Sequence, residues 1–105
     1  MIWEATQHCR WNVLDVLGYI PQMVSEGDPR PAREQFHDNY AHGGGWSPIG
    51  RWTFNPNDQS IKYPGDERLL PLAVAKLRDE TIYVYESAWV CIVQPNGAFE
   101  VARMD

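Results

Sequence analysis

Lysine and arginine are scarce in this chain: nine, against fourteen aspartates and glutamates, give a formal net charge of −5. No segment gathers them into a basic face, so sequence-independent contact with phosphates has no footing and nucleic acid is not an expected partner. No apolar run approaches membrane length, so no membrane association is expected. Residues 1–6 carry neither a charged leader nor an apolar stretch, and no export signal is expected there. Cysteine occurs twice, as Cys9 and Cys91, with no Cys-x-x-Cys pair. One long-range disulfide is open to them; without an export signal, two reduced thiols in a cytoplasmic protein are the expectation. Repeats, low-complexity tracts and linkers are also missing, and 105 residues make a single domain with one modest core.

What is present divides the chain in two. Val13, Val16, Leu17, Ile20, Met23 and Val24 recur at helical spacing behind a candidate N-cap, Asn12, and Pro21 interrupts the stripe with a kink or a break. Glu26-Gly27-Asp28-Pro29 stops that element. A second helix follows, with Asp28 as candidate cap and Pro29 or Pro31 in its first turn. Ala32, Phe36 and Tyr40 line its inner face, and Arg33, Glu34, His37 and Asp38 face solvent. Gly43 is the natural C-cap, able to take positive φ.

The second half reads as antiparallel sheet. Asn55-Pro56-Asn57-Asp58-Gln59 and Gln94-Pro95-Asn96-Gly97-Ala98 are hairpin turns, and Tyr63-Pro64-Gly65-Asp66 has Pro and Gly where a type II turn wants them. Residues 81–85 and 89–93 are β-branched and aromatic, with a turn or bulge at Glu86-Ser87-Ala88. Along the last strand Phe99, Val101 and Arg103 alternate with Glu100 and Ala102. Residues 69–78 carry both helix and strand signals; pairing with residues 81–85 favours strand. The fold class is therefore α+β: N-terminal helices, over about 12–43, packed on one face of an antiparallel meander of hairpins over about 50–105.

Thirteen aromatic residues (five Trp, five Tyr, three Phe) are many for one small core. Tyr40, Trp46, Trp52 and Tyr63 fall near the helix–sheet junction, with His37, His42 and Arg51 interleaved. Tyr40, His42, Trp46, Arg51, Trp52 and Tyr63 form a candidate contact patch, since Trp, Tyr and Arg dominate binding hot spots. The alternative reading packs Trp52, Phe54 and Tyr63 under the helices as ordinary sheet residues. An exposed aromatic patch and a final strand at a sheet edge together predict self-association as a two-fold dimer.

His42-Gly43-Gly44-Gly45-Trp46 matches the oxyanion-hole motif of esterases, but no Gly-x-Ser-x-Gly elbow accompanies it and the chain is too short for a hydrolase sheet. The glycines lack the Lys-Ser or Lys-Thr of a P-loop. Glu34-x-x-His37 has the spacing of half a di-iron site, without further inward carboxylates. His8, His37, His42 and Cys9 show no ligand spacing, so neither metal nor cofactor is expected. Cys91, inside an apolar strand, reads as an inert core thiol rather than a nucleophile.

The segments Asn39-Tyr40-Ala41-His42-Gly43-Gly44-Gly45-Trp46-Ser47-Pro48, Tyr63-Pro64-Gly65-Asp66 and Gln94-Pro95-Asn96-Gly97-Ala98-Phe99-Glu100-Val101-Ala102-Arg103 resemble small uncharacterised reading frames of phage and prophage genomes. The resemblance implies a viral accessory role and no catalytic residues. The expected function is a small non-enzymatic interaction protein with a protein partner. A virion component is the second reading, and a small enzyme with a site near His37, His42 and Trp46 the third.

Overall fold

From Ala73 onward short apolar-rich runs are separated by turn residues, and the run Trp89-Val90-Cys91-Ile92-Val93 is apolar throughout, as a strand covered on both faces is. The computed structural model describes residues 1–10, 24–39, 46–48 and 50–104, with backbone alone for 39, 46–48 and 104. Its elements are β1 (Glu4–Ala5), α1 (Ala32–Asn39), β2 (Trp46–Pro48), β3 (Thr53–Asn55), β4 (Ser60–Lys62), β5 (Ala73–Leu77), β6 (Glu80–Val84), β7 (Trp89–Val93) and β8 (Phe99–Met104). Six strands form one antiparallel sheet in the order β1-β5-β6-β7-β8-β2, and β3 and β4 form a separate two-stranded sheet. The predicted meander is β5 to β8, and residues 69–78 are strand where they are regular.

The turns follow their residues. Gly97, at φ +88°, donates its N–H to the Gln94 carbonyl at 3.0 Å and closes the β7–β8 hairpin around Pro95 and Asn96. Gly65, at φ +89°, allows the Asp66 N–H to reach the Tyr63 carbonyl at 3.0 Å, as the type II signature requires. Between β6 and β7 a 3-10 turn (Glu86–Ala88) holds Ser87 and Ala88 at φ 60° and 63°.

The expected set of several N-terminal helices on the sheet is not supported among the described residues. Among the described residues there is one α-helix, α1; the stripe at 13–23, the proposed cap Gly43 and the loop after it lie outside them. On either side of the stretch expected to be helical, about 12–43, stand β1 and β2, two- and three-residue strands too short to show a period. They are recruited as edges by β5 and β8. β2 lines up against β8 through Trp46–Met104, Ser47–Arg103 and Pro48–Ala102, so the last strand is internal. The edge strand instead holds Pro48, a residue that sheets tolerate at edges. One of the two grounds for a dimer is thereby removed.

Register sorts the side chains. Ala73, Leu77, Ile82, Val84, Val90, Ile92 and Ala102 face one side, where Ala32 and Phe36 of α1 and Val24 cover them. Arg33, Glu34, His37 and Asp38 are exposed as their spacing predicts. An eight-residue helix has little stability of its own, and its position is set by tertiary contacts. Its first amide, Ala32 N–H, donates to Oε1 of Glu80 at 2.8 Å, while Gln94 Nε2 donates to the other carboxylate oxygen at 2.7 Å. Glu80 is buried, and caps a helix 48 residues away. Asp28, the cap expected from sequence, instead takes the Arg30 backbone amide and its guanidinium. Arg78, at φ 55° in the β5–β6 turn, donates to the carbonyls of Asp28 and Arg30 at 3.1 and 2.5 Å and ties that loop to the sheet. Arg33 pairs with Glu100 on β8 at 2.7 Å.

Two outcomes are expected. Glu80→Ala strands the buried Ala32 amide and the part-buried Gln94 side chain and lowers stability by about 2 kcal/mol, whereas Glu80→Gln keeps an acceptor for Ala32 and costs about 1 kcal/mol or less; thermal unfolding followed by circular dichroism compares them. The Arg30 guanidinium and backbone amide hold the Asp28 carboxyl at about 2, below its ordinary 3.8. Because the folded value is the lower one, the stabilisation is present above about pH 4 and is lost as the pH falls towards 2. Stability-against-pH curves of the wild type and Asp28→Asn therefore converge across that window.

Candidate functional site

On the opposite face of the sheet the alternation places Tyr83 on β6, Trp89, Cys91 and Val93 on β7, and Phe99, Val101 and Arg103 on β8, with Tyr85 just beyond β6. The β3–β4 hairpin lies over this face. Trp52, Phe54, Ile61 and Leu69 pack there with Tyr85, Cys91 and Val101 as a second apolar cluster. The aromatic rings meet at tilted angles. Trp52 lies 5.4 Å from Tyr63 and 4.7 Å from Trp89, and Phe54 lies 5.7 Å from Tyr83 and 5.9 Å from Phe99. Such ring pairs contribute about 0.5–1.5 kcal/mol each beyond the area they bury. Among the described residues the rings divide between two cores, most of them in the second, and only Ile2 and Phe99 are large, apolar and exposed. The exposed aromatic patch from which a dimer was expected is thus narrower there than the aromatic count implied.

Of the six predicted patch residues, two come together, Trp52 and Tyr63. They flank the two strands of the β3–β4 hairpin, and the helix is on the far side of the sheet. Arg51 is exposed at φ 74°, at the foot of that hairpin. The Trp46 backbone is in edge strand β2. Tyr40 and His42 lie outside the described residues. His37, counted with the cluster in sequence, sits exposed on α1 beside Asp38, so the sheet separates it from Trp52. The small-enzyme site near His37, His42 and Trp46 is left with one described side chain.

Sequence reasoning missed Trp89 and Arg103. The Arg103 guanidinium carbon stands 5.7 Å from the centre of the Trp89 ring, and its Nε donates to the Ser87 carbonyl at 3.2 Å. The signal was available: the hairpin turn at 94–98 sets β7 against β8, and the period of two then puts Trp89 and Arg103 on one face.

The chemistry of this layer is quiet near neutral pH. Burial pushes the Cys91 thiol up to about 12 and raises the Tyr83 and Tyr85 phenols above their ordinary value, Tyr85 the more strongly. All three are neutral at pH 7. The Tyr85 hydroxyl donates to the Gln59 carbonyl at 2.7 Å, its link to the hairpin. The indole N–H of Trp52 is shut away from solvent without an acceptor. Cys9 packs at the margin of the first core and Cys91 lies within the second, so the sheet stands between them and no disulfide joins them.

Elsewhere a cleft of about 180 Å³ is floored by Leu69, Leu70 and Leu72 and rimmed by Arg10, Glu67 and Glu86. No group of three metal-ligating side chains occurs among the described residues, and no helix among them is long and apolar enough to cross a membrane. No protein-family model matches the chain, and no curated protein or solved structure is similar to it.

Cys91 is fully buried and its thiol is held protonated, so native-state titration at pH 8 is expected to modify Cys9 well before Cys91. Peptide-resolved mass spectrometry checks the order.

Proposed function

We propose that this protein is a small non-enzymatic interaction module that meets a protein partner through the open rim of its second aromatic cluster. The carrying observation is the surface made by Phe99, which is 41% exposed, and by Trp89 with the Arg103 guanidinium over its ring. Aromatic and arginine side chains on a rigid strand present contact area at low entropic cost, and they are the residues in which binding energy concentrates. Tyr63 and Phe54, half-buried or nearly so beside them, extend the same rim. A cytoplasmic setting is supported by two cysteines that form no disulfide. The likeness of residues 39–48, 63–66 and 94–103 to phage and prophage reading frames is what suggests an accessory role there.

The test is quantitative affinity capture from native cytosol, with the wild type compared against a Phe99→Ser, Arg103→Ser double variant. The double variant is expected to keep its fold by circular dichroism and to lose recovery of the partner at least tenfold, about 1.4 kcal/mol of binding. Undiminished recovery would place the contact surface elsewhere on the molecule.

A further inference from the structure

We infer that residues 51–66, the β3–β4 hairpin with its two feet, form a flap that opens from the sheet as one unit while the remainder of the fold stays intact. Four observations converge on this segment.

The first is the partition of the core. The six-stranded sheet separates two apolar clusters, and the apolar residues through which the hairpin packs, Ile61 with Trp52 and Phe54, belong to the second. Lifting the hairpin leaves α1, Val24 and the inner faces of β5 to β8 packed as they are. The molecule therefore has a stable remainder for a local opening to leave behind.

The second is how the hairpin is attached. No strand ladder joins β3 or β4 to the six-stranded sheet. The one bridge from β4, Ile61 with Leu69 at 3.1 and 2.8 Å, and the Asp58–Arg68 ion pair at 2.6 Å run to residues just downstream of the flap rather than to a strand of the sheet, and both part when the flap opens. Among the described residues the polar link to the sheet is the Tyr85 hydroxyl on the Gln59 carbonyl. Ring contacts and the burial of Ile61 supply the rest, and these separate without breaking a ladder.

The third is the backbone at the two feet. Arg51 is held at φ 74°, a left-handed conformation that a side chain disfavours, next to Gly50, which has open space around it. At the other foot Gly65 sits at φ +89° behind Pro64. Both are positions where a change of φ and ψ swings the hairpin, and at Arg51 the change relieves strain.

The fourth is the Trp52 indole. Closed, its N–H faces neither water nor an acceptor. Open, it reaches water, so the closed form carries a penalty that the open form does not. Against this stands the exposure of Ile61, Tyr85, Cys91 and Val101, all essentially buried, which keeps the open form the minor one.

Cys91 lies under the flap and reports on it. The experiment labels the wild-type chain with a small thiol reagent at pH 8, with mass spectrometry resolving the Cys9 and Cys91 peptides, and repeats it on Tyr85→Phe and Ile82→Val. Tyr85→Phe removes the hydroxyl that holds Gln59 and is expected to speed Cys91 labelling severalfold. Ile82 belongs to the other cluster, so Ile82→Val weakens the open and closed forms alike. It is expected to lower the melting temperature and leave Cys91 labelling unchanged within twofold. Labelling that accelerates in proportion to the stability lost in Ile82→Val would show that Cys91 is reached only by global unfolding and would overturn the flap. The wild type gives an independent reading in low urea. Flap opening exposes one cluster of two, so labelling has a shallow urea dependence, whereas the full slope of global unfolding counts against it.

Discussion

The antiparallel register of β5 to β8 is the constraint on which everything else here depends. Ile82 stands opposite Ile92 and Tyr83 opposite Cys91, and the same pairing carries on to Val101. Because side chains alternate with period two, a slip of one residue in any of these strands would send Ile82 and Val84, or Tyr83 and Tyr85, to the wrong face. Both apolar clusters would be lost at once. The turns guard the register: Gly97 at φ +88° sets β8 against β7, and the two-residue turn at Arg78 sets β6 against β5.

Polar groups then position what the sheet alone leaves free. The carboxylate of Glu80, on the helix-facing side, receives the first amide of α1 and the Gln94 side chain, so one buried residue joins the helix, β6 and the β7–β8 turn. Gln35, also buried, accepts from the Ser25 amide and donates to the Arg30 carbonyl. Arg78 closes the loop from the other side. A helix of two turns is held by these contacts more than by its own propensity.

The distribution of aromatic residues bears on function. A single layer of helices over one sheet face would leave many of the thirteen rings on the surface. The β3–β4 hairpin on the other face takes most of that load, with Trp52 against Tyr63 and Trp89, and Phe54 against Tyr83 and Phe99. What stays at the rim is a short row of Phe99, Trp89 and Arg103, the surface through which we propose a partner is met. The buried thiol and phenols of the same layer are neutral at pH 7, which suits packing and contact better than proton transfer.

Local chemistry made much of this protein legible in its sequence. Pro64-Gly65, Pro95-Asn96-Gly97 and the Asn55–Gln59 run each act within a few residues, where φ preferences and short side-chain hydrogen bonds decide the backbone, and the turns are where those residues put them. The β-branched and aromatic runs of β6 and β7 and the inner face of α1, Ala32 and Phe36, were legible for the same reason. Decisions between distant segments were not. That Glu80 rather than Asp28 caps α1, that Trp46–Pro48 pairs with β8 and makes it internal, and that the hairpin flanked by Trp52 and Tyr63 lies across the sheet from His37 all depend on partners tens of residues away. Periodicity tells which residues share a face. Only the tertiary structure decides which element covers that face, because the free energy comes from surfaces that meet after the chain has turned back on itself.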